Sequence, residues 1–149
     1  MADIIIAAME QRHVGEVAAI EEKCFSMPWS AAAFADAADS QNYEYIVALD
    51  GVTDSVVAYA GMQVVMDEAE ITNIAVDEQY RNRGIAHKLL EGLVTLCGRR
   101  NVKYLHLEVR ESNTAARRLY TGYGFEIDGM RKNFYQKPTE NAVLMTKIL

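Results

Sequence analysis

Apolar residues recur along the chain either at the spacing of a helix or at the two-residue spacing of a strand. These two patterns predict the order of helices and strands. A short apolar run at Ile4–Ala7 predicts a first strand, and apolar positions at helical spacing predict a helix from Glu10 to Phe25. Pro28 cannot continue that helix, whereas Ser30 is a good N-cap for an Ala-rich helix over residues 30–38. The chain therefore opens as one strand followed by two helices.

The middle of the chain alternates between strand and helix patterns. Three strands are predicted at 43–48, 55–65 and 69–76, and Asp50-Gly51 lies in the turn between the first two. A helix is predicted over residues 84–99, and we expect Gly98 to end it. The strand–helix–strand passage from residue 69 to residue 110 should be a right-handed parallel crossover.

The last third predicts a strand, a short helix and two further strands. In the strand at 102–110, Leu105, Leu107 and Val109 share one face, while Tyr104, His106 and Glu108 share the other. The helix at 113–120 is followed by Gly122 and Gly124, which should stop it. Strands at 125–128 and 142–147 close the chain, and we expect the stretch 129–141 between them to be irregular. The order β-α-α-β-β-β-α-β-α-β-β predicts an α/β fold, with one mixed sheet and helices on both faces.

Composition narrows the class of protein. The 149 residues are half hydrophobic, which excludes intrinsic disorder, and we expect one domain over residues 1–149. The net charge of −6 argues against broad nucleic-acid binding. Cys24 and Cys97 lie in apolar helical patterns, so we expect buried free thiols, and the scattered histidines predict no metal site.

Two further features concern where the protein acts. The start, Met1-Ala2-Asp3, lacks the basic segment of a secretory signal. The chain also has no apolar run near the ~18 residues that a membrane span needs. We therefore expect a cytoplasmic protein without membrane contact.

One segment has the features of an anion site. The strand ending at Val76 is followed by a polar loop with Arg81, Arg83 and Gly84, and a helix begins immediately. The first turn of a helix presents unpaired N–H groups and the positive end of its dipole, which favours a phosphate. Gly84 allows a phosphate to approach the backbone closely. An ordinary polar loop that binds no anion could have the same sequence. No Rossmann glycine pattern and no P-loop motif is present.

A second segment offers acid–base groups. Glu108 lies opposite the aliphatic face of its strand, and Asn113 and Tyr120 recur at helical spacing just after it. A carboxylate and a phenol that converge near a strand end can serve as general base and general acid. The alternatives are a core tyrosine and a solvated strand glutamate, and whether His106 influences Glu108 stays open.

Together these segments resemble the GNAT acyl-CoA-dependent N-acetyltransferases. The loop Arg81-Asn82-Arg83-Gly84-Ile85-Ala86 fits the family's cofactor motif fully. Five segments are similar to its RimI-type branch, the bacterial enzymes that acetylate the N-terminal alanine of the eighteenth small-subunit ribosomal protein. Those segments are Phe25–Ser30, Asn73–Val76, Leu107–Arg110, Leu119–Tyr120 and Arg131–Tyr135.

The resemblance implies roles for individual residues and no metal. Glu108 would be the general base and Tyr120 the general acid. Contacts to acetyl-CoA would come from Ile74, Ala75, Val76, Arg81, Asn82, Arg83, Gly84, Ile85, Ala86, His87 and Asn113. Trp29 and Tyr135 lie in the two segments that cover the peptide site in relatives. The implied partner is a ribosomal-protein N-terminus, with the enzyme a monomer or weak dimer.

Two other functions remain compatible with the sequence. One is a GNAT enzyme acting on lysine or a small amine, and the other is a non-catalytic acyl-CoA sensor. An α-amine has a pKa of roughly 8, against roughly 10.4 for lysine, so it loses its proton more easily to a carboxylate base. A sensor would need neither Glu108 nor Tyr120.

Overall fold

The computed structural model describes residues 3–149 as a seven-stranded sheet with two helices on each face. Met1 and Ala2, part of the segment in which no secretory signal was predicted, lie outside the described residues. The strands are β1 Ile4–Ala8, β2 Tyr43–Asp50, β3 Val56–Val65, β4 Glu68–Val76, β5 Tyr104–Arg110, β6 Glu126–Tyr135 and β7 Glu140–Ile148. The α-helices are α1 Val14–Cys24, α2 Ala31–Asp39, α3 Ile85–Arg99 and α4 Thr114–Gly122.

The predicted order of elements and the mixed sheet are confirmed. The strand order is β1-β2-β3-β4-β5-β7-β6, and the pairing is antiparallel everywhere except between β4 and β5. That parallel pair is the one joined through α3, as the strand–helix–strand pattern predicted. The Ser30 hydroxyl accepts a hydrogen bond from the Ala33 amide and caps α2.

Two apolar cores lie on opposite faces of the sheet. One lies beneath α3 and α4 and includes Leu89, Leu93 and Leu105, and the other lies beneath α1 and α2 and includes Val17 and Phe34. Leu105, Leu107 and Val109 are buried under α3 and α4, which confirms the predicted face of β5. Glu108 therefore faces the side of α1.

The prediction of an irregular stretch at 129–141 is wrong, because β6 continues to Tyr135 and pairs with β7. The pairing register shifts between Ile127 and Gly129 and again between Arg131 and Tyr135. These irregularities break the two-residue period, and β6 is an edge strand with most side chains exposed. An edge strand of this kind lacks the apolar alternation from which a strand is predicted.

The predicted bounds of α3, residues 84–99, are confirmed to within one residue, but the prediction that Gly98 ends the helix is wrong. The helix continues through Gly98 to Arg99, and Asn101, with φ of 57°, adopts the left-handed conformation beyond it. Asparagine tolerates that conformation better than most residues. Both cysteines are free, as expected, but only Cys97 is fully buried, whereas Cys24 is half-buried.

Candidate active site

A cleft of about 550 Å³ opens where β4 and β5 separate. The two strands pair only from Glu68–Ile71 on β4 to Tyr104–Leu107 on β5. Beyond that point the facing edge of β4 has no neighbouring strand, so its backbone groups are free to bind another molecule. We call this space the central cleft, and it is lined by residues 71–74, residues 107–110, α4, the end of β6 and the segment after α1.

A bulge in β4 marks the point of separation. Gly61 of β3 lies opposite Asn73, whereas the next residue, Met62, lies opposite Ile71, so Thr72 is the extra residue. Bulges bend a strand and re-aim its side chains. A Cβ on Gly61 would lie 2.1 Å from the Tyr45 ring, so glycine is required for that ring to pack against the bulged pair.

The Glu108 carboxylate points into the central cleft and is largely buried. Its side chain is 17% exposed, and its Oε1 lies 3.7 Å from a guanidinium nitrogen of Arg131. Its Oε2 is buried and has no hydrogen-bond partner among residues 3–149. Burial raises the pKa of Glu108, against the lowering effect of Arg131, and nearby Glu70 raises it further. A buried carboxylate oxygen without a donor is unfavourable, which suits a group that accepts a proton from a substrate.

Tyr120 lines the same cleft from α4. Its ring is buried and packs edge-on against Phe125 at 5.6 Å. No hydrogen bond from its hydroxyl to any of residues 3–149 is found, although the side chain borders the cleft. Burial raises the pKa of Tyr120, so the hydroxyl keeps its proton and can donate it.

Asn113 lies at the start of α4 and has a structural role there in addition to the predicted contact with the cofactor. Its side-chain oxygen accepts a hydrogen bond of 3.2 Å from the Ala116 amide, so Asn113 is the N-cap of the helix. The residue also lines the central cleft near Tyr120. Its amide group has donors left for a ligand, and its contact to the cofactor stays a prediction.

Trp29 and Tyr135 border the central cleft from elements far apart in sequence. Trp29 packs in an aromatic group with Phe34 and Tyr45, at centroid distances of 5.4 and 6.1 Å. The Arg110 guanidinium lies 4.6 Å from the Tyr135 ring centre. Burial, with Glu108 nearby, raises the pKa of Tyr135 to about 12. The structure thus brings both predicted peptide-site residues to one cavity.

The turn before α3 has the geometry of an anion site. Gly84 is the N-cap of α3 with φ of 75°, and no side chain caps the helix. Asn82 is also left-handed, with φ of 63°. The Ile85 side chain is buried, so only its backbone faces outward, while His87 is exposed and lies 4.9 Å from the Tyr123 ring. Free first-turn N–H groups and a glycine N-cap fit a diphosphate.

The two arginines of this loop point in different directions. Arg81 donates a 3.1 Å hydrogen bond from Nε to the Val76 carbonyl, and its Nη2 lies 3.5 Å from the Cys24 sulfur. It therefore ties the end of β4 to α1. The exposed Arg83 guanidinium lies 5.1 Å from the Tyr80 ring centre and stays available to solvent. A phosphate contact from either arginine stays a prediction.

The three predicted β4 residues differ in their surroundings. Ile74 lines the central cleft, whereas the Ala75 side chain is buried against α1 and α2 and Val76 packs on the opposite core. Ala75 and Val76 can therefore meet a ligand mainly through their backbone. Ala86 is half-buried in the first turn of α3.

Sequence reasoning missed the Glu21 and Asn73 side chains at the central cleft, and it missed Arg131 beside Glu108. Glu21 lies on the apolar stripe of α1 with Val14, Val17 and Cys24, and a charged residue on such a stripe was a signal that could have found it. His106 is engaged elsewhere, with Thr146 at 2.7 Å and Glu68 at 2.9 Å. No contact between His106 and Glu108 is seen.

Two structural features are absent from residues 3–149. No group of three or more His, Cys, Asp or Glu side chains is arranged to hold a metal ion. None of the helices in this part of the chain is both long and apolar enough to cross a membrane.

Comparison with known proteins agrees with this geometry. The sequence signature of the acetyltransferase (GNAT) family matches residues 14–125. The [ribosomal protein bS18]-alanine N-acetyltransferase of Haemophilus ducreyi is 37% identical over 133 residues, 87% of this chain and 90% of that protein. The crystal structure of the Escherichia coli ribosomal-protein-S18-alanine N-acetyltransferase has a TM-score of 0.88 and 34% identity, covering 98% of this chain and 94% of that one. Arabidopsis thaliana NAA60 in complex with acetyl-CoA shares the fold, with a TM-score of 0.90 at 18% identity and 99% coverage of both chains.

The chain belongs to the acetyltransferase (GNAT) family and is an acyltransferase. Within the family it groups with the ribosomal-protein-alanine N-acetyltransferases of the RimI type, as its five sequence segments predicted.

Proposed function

We propose that this protein transfers an acetyl group from acetyl-CoA to the N-terminal alanine of a small-subunit ribosomal protein, the bS18 type. The observation that carries the proposal is the meeting of Glu108 and Tyr120 in one cleft, at the separation of β4 and β5. The curated relatives named for this reaction support the choice of substrate. We further propose a cytoplasmic enzyme whose catalytic unit is the whole chain.

The α3 turn and the unpaired β4 edge are where acetyl-CoA would bind. The first-turn N–H groups after Gly84 and the open space around that glycine suit the diphosphate. The β4 backbone from Ile74 to Val76 suits the amide-rich arm, because those groups have no strand partner on the side of β5. Acetyl-CoA, when bound, supplies an acetyl group activated as a thioester.

Glu108 is the proposed general base. An amine must lose a proton as it forms a bond to the acetyl carbon, and an α-amine has a pKa of roughly 8. A large part of such amines is already neutral near pH 7.5, so Glu108 has only to accept the proton that is released during attack. Its unpartnered, buried Oε2 is the atom suited to accept it.

Tyr120 is the proposed general acid. Its hydroxyl borders the central cleft, and burial keeps it protonated by raising its pKa. It would donate its proton to the departing thiolate of coenzyme A. A thiol is a fair leaving group, so the contribution of this proton is at the low end for acid catalysis, about 10²-fold. Orienting the two substrates supplies most of the remaining acceleration.

Trp29 and Tyr135 are proposed to hold the peptide on either side of its amino terminus. Both border the cleft in which Glu108 lies, and Tyr135 lies near that carboxylate. The net charge of −6 favours a basic partner such as a ribosomal-protein terminus.

A peptide panel tests the proposal. The wild-type chain is mixed with acetyl-CoA and peptides that carry the bS18 N-terminus with a free alanine, a blocked alanine, or lysine as the sole amine. We expect thiol release and a mass increase at the α-amine only with the free alanine. Modification of the lysine peptide alone would favour a lysine-directed enzyme. Calorimetry could instead show tight binding of acetyl-CoA while no amine is acetylated. That result would favour a non-catalytic acyl-CoA sensor.

A further inference from the structure

Glu21 is a buried carboxylate at the wall of the central cleft that the proposed chemistry does not use. It lies near the end of α1 and is 2% exposed. Its oxygens accept hydrogen bonds from the Tyr59 hydroxyl, from the Asn73 amide nitrogen at 3.1 and 3.2 Å, and from the Trp29 backbone N–H at 2.9 Å. These donors come from β3, β4 and the segment between α1 and α2.

The Asn73 contact connects Glu21 to the β4 bulge. Because the Asn73 amide nitrogen donates to Glu21, its oxygen is free to accept a 2.6 Å hydrogen bond from the Tyr45 hydroxyl. The same hydroxyl lies 2.6 Å from the hydroxyl of Thr72, the extra residue of the bulge. Glu21 therefore lies at one end of a chain of polar contacts that holds the point where β4 leaves β5.

The Trp29 contact connects Glu21 to the opposite wall of the cleft. The segment from Phe25 to Trp29 is largely exposed, and besides the bond to Glu21 the Trp29 ring packs against Tyr43 and Tyr45 of β2. The 2.9 Å bond from the Trp29 N–H to Glu21 anchors this segment at its end. The carboxylate thus joins the two walls of the central cleft, the bulged strand and the Trp29 segment.

Both oxygens of Glu21 already accept hydrogen bonds, in contrast to the unpartnered Oε2 of Glu108. Every one of its contacts uses a donor on the partner side, so the group acts only as an acceptor. Burial raises the pKa of Tyr59, and the bond to Glu21 raises it too, so the phenol stays a donor. A buried carboxylate without a cation is costly unless donors satisfy it.

We propose that Glu21 is a positioning residue for the peptide amine, setting the distance between the Trp29 segment and the β4 bulge. This inference rests on the proposed function for the identity of the peptide. Loss of the carboxylate should leave the acetyl-CoA turn at α3 undisturbed, because Glu21 contacts neither Gly84 nor its neighbours. The peptide side of the reaction should suffer instead.

Glu21→Gln tests the proposal, and Glu22→Gln is the matched control because Glu22 is exposed on the same helix. Trp29 is the single tryptophan of the chain, so its fluorescence reports directly on the segment. With E21Q we expect greater quenching by acrylamide and a red-shifted emission below the melting temperature. We expect E22Q to match the wild type in both.

Steady-state kinetics provide the second readout. We expect E21Q to raise the KM for the peptide by about 10-fold and the KM for acetyl-CoA by much less, because the acetyl-CoA turn at α3 does not contact Glu21 and small misplacements at a reacting centre are costly. A general loss of stability would lower the melting temperature without raising the peptide KM more than the acetyl-CoA KM. Equal KM values for E21Q and the wild type, or an unchanged Trp29 emission, would overturn the proposal.

Tyr59→Phe keeps the test decisive if E21Q does not fold. It removes one hydrogen-bond donor to Glu21 and leaves the ring in place. We therefore expect the peptide KM to rise relative to the acetyl-CoA KM, but by less than in E21Q. If E21Q does not fold and the peptide KM of Y59F equals that of the wild type, then Glu21 is a purely structural residue. Failure of the proposed function is distinguishable, because the wild-type chain would then acetylate no alanine peptide while the fluorescence difference between E21Q and E22Q persists.

Discussion

Arg131 places its guanidinium 3.7 Å from Glu108 across an intervening strand, since β7 lies between β5 and β6. The two partners differ in exposure: the Arg131 side chain is 56% exposed, and that of Glu108 is 17% exposed. Arg131 also lies 5.3 Å from the Phe134 ring centre. The proposed base therefore has one oxygen near a solvent-exposed cation and one buried oxygen without a hydrogen-bond partner among residues 3–149. Protonation at this second oxygen would not require the contact between the first oxygen and Arg131 to break.

Replacing Arg131 with alanine should change the pH dependence of the reaction. Arg131 lowers the pKa of Glu108, whereas burial and Glu70 raise it. Removing the cation should raise that pKa further and move the acidic limb of kcat/KM to higher pH. Arg131→Lys keeps the charge and should move the limb less. A pH profile with the alanine peptide checks this, and an unmoved limb in R131A would show that Glu108 does not set it.

The same pair contributes little to stability. Arg131 is more than half exposed, and pairs of this kind contribute about 1 kcal/mol or less. R131A should therefore unfold at nearly the same urea concentration as the wild type at pH 7. A large loss of stability would mean that Arg131 supports the β6–β7 pair in some other way.

Replacing Glu108 with glutamine should lower activity and raise stability at neutral pH. Removal of a general base costs about 10²–10⁴-fold in rate. Because the folded-state pKa of Glu108 is raised, the folded protein disfavours the charged form, and this cost is present above that pKa. The cost diminishes as pH falls through the folded-state pKa and is gone below the ordinary value of 4.5, where the carboxyl is protonated in both states.

Urea unfolding at several pH values measures this effect. We expect E108Q to have a higher midpoint than the wild type at pH 7 and an equal midpoint at low pH. Glu126→Gln is the control, because Glu126 is exposed on β6 and should change neither activity nor midpoint. A lower midpoint for E108Q at pH 7 would show that Arg131 and the cleft stabilise the charged form.

Replacing Tyr120 with phenylalanine separates its two possible roles. The hydroxyl has no hydrogen-bond partner among the described residues, so Y120F should fold with unchanged stability. As the proposed acid, its loss should lower kcat by about 10²-fold without raising either KM. The exposed Tyr104 provides a control in Tyr104→Phe. Full activity in Y120F would make Tyr120 a core aromatic residue only.

Most of the fold could be predicted from the sequence because two features are local. The two-residue period of β5 placed Glu108 opposite Leu105 and Leu107, and the structure confirms that face. The glycine after Arg83 marked the start of α3. Both of these predictions depend only on residues that lie within a single turn or a single strand.

What could not be predicted depends on contacts between distant segments. The central cleft opens where Thr72 is an extra residue in the β3–β4 pairing, and no spacing within β4 reveals that bulge. The Glu21 contacts combine α1, β3 and β4. The strand after Gly129 is held by its partner β7 and not by its own apolar pattern. In each case tertiary contacts outweigh local propensity.

Two glycines of α3 provide a paired test of the acetyl-CoA turn. Gly84 has φ of 75°, so Gly84→Ala should cost about 1–2 kcal/mol although the added Cβ meets no atom within 4 Å. Gly98 lies inside the helix with equally open space, so Gly98→Ala should stabilise the chain by about 0.5–1 kcal/mol. If the turn binds the diphosphate, G84A should also raise the KM for acetyl-CoA by about 10-fold, and G98A should not. Thermal unfolding and steady-state kinetics measure both effects, and an unchanged KM in a destabilised G84A would remove this turn from the cofactor site.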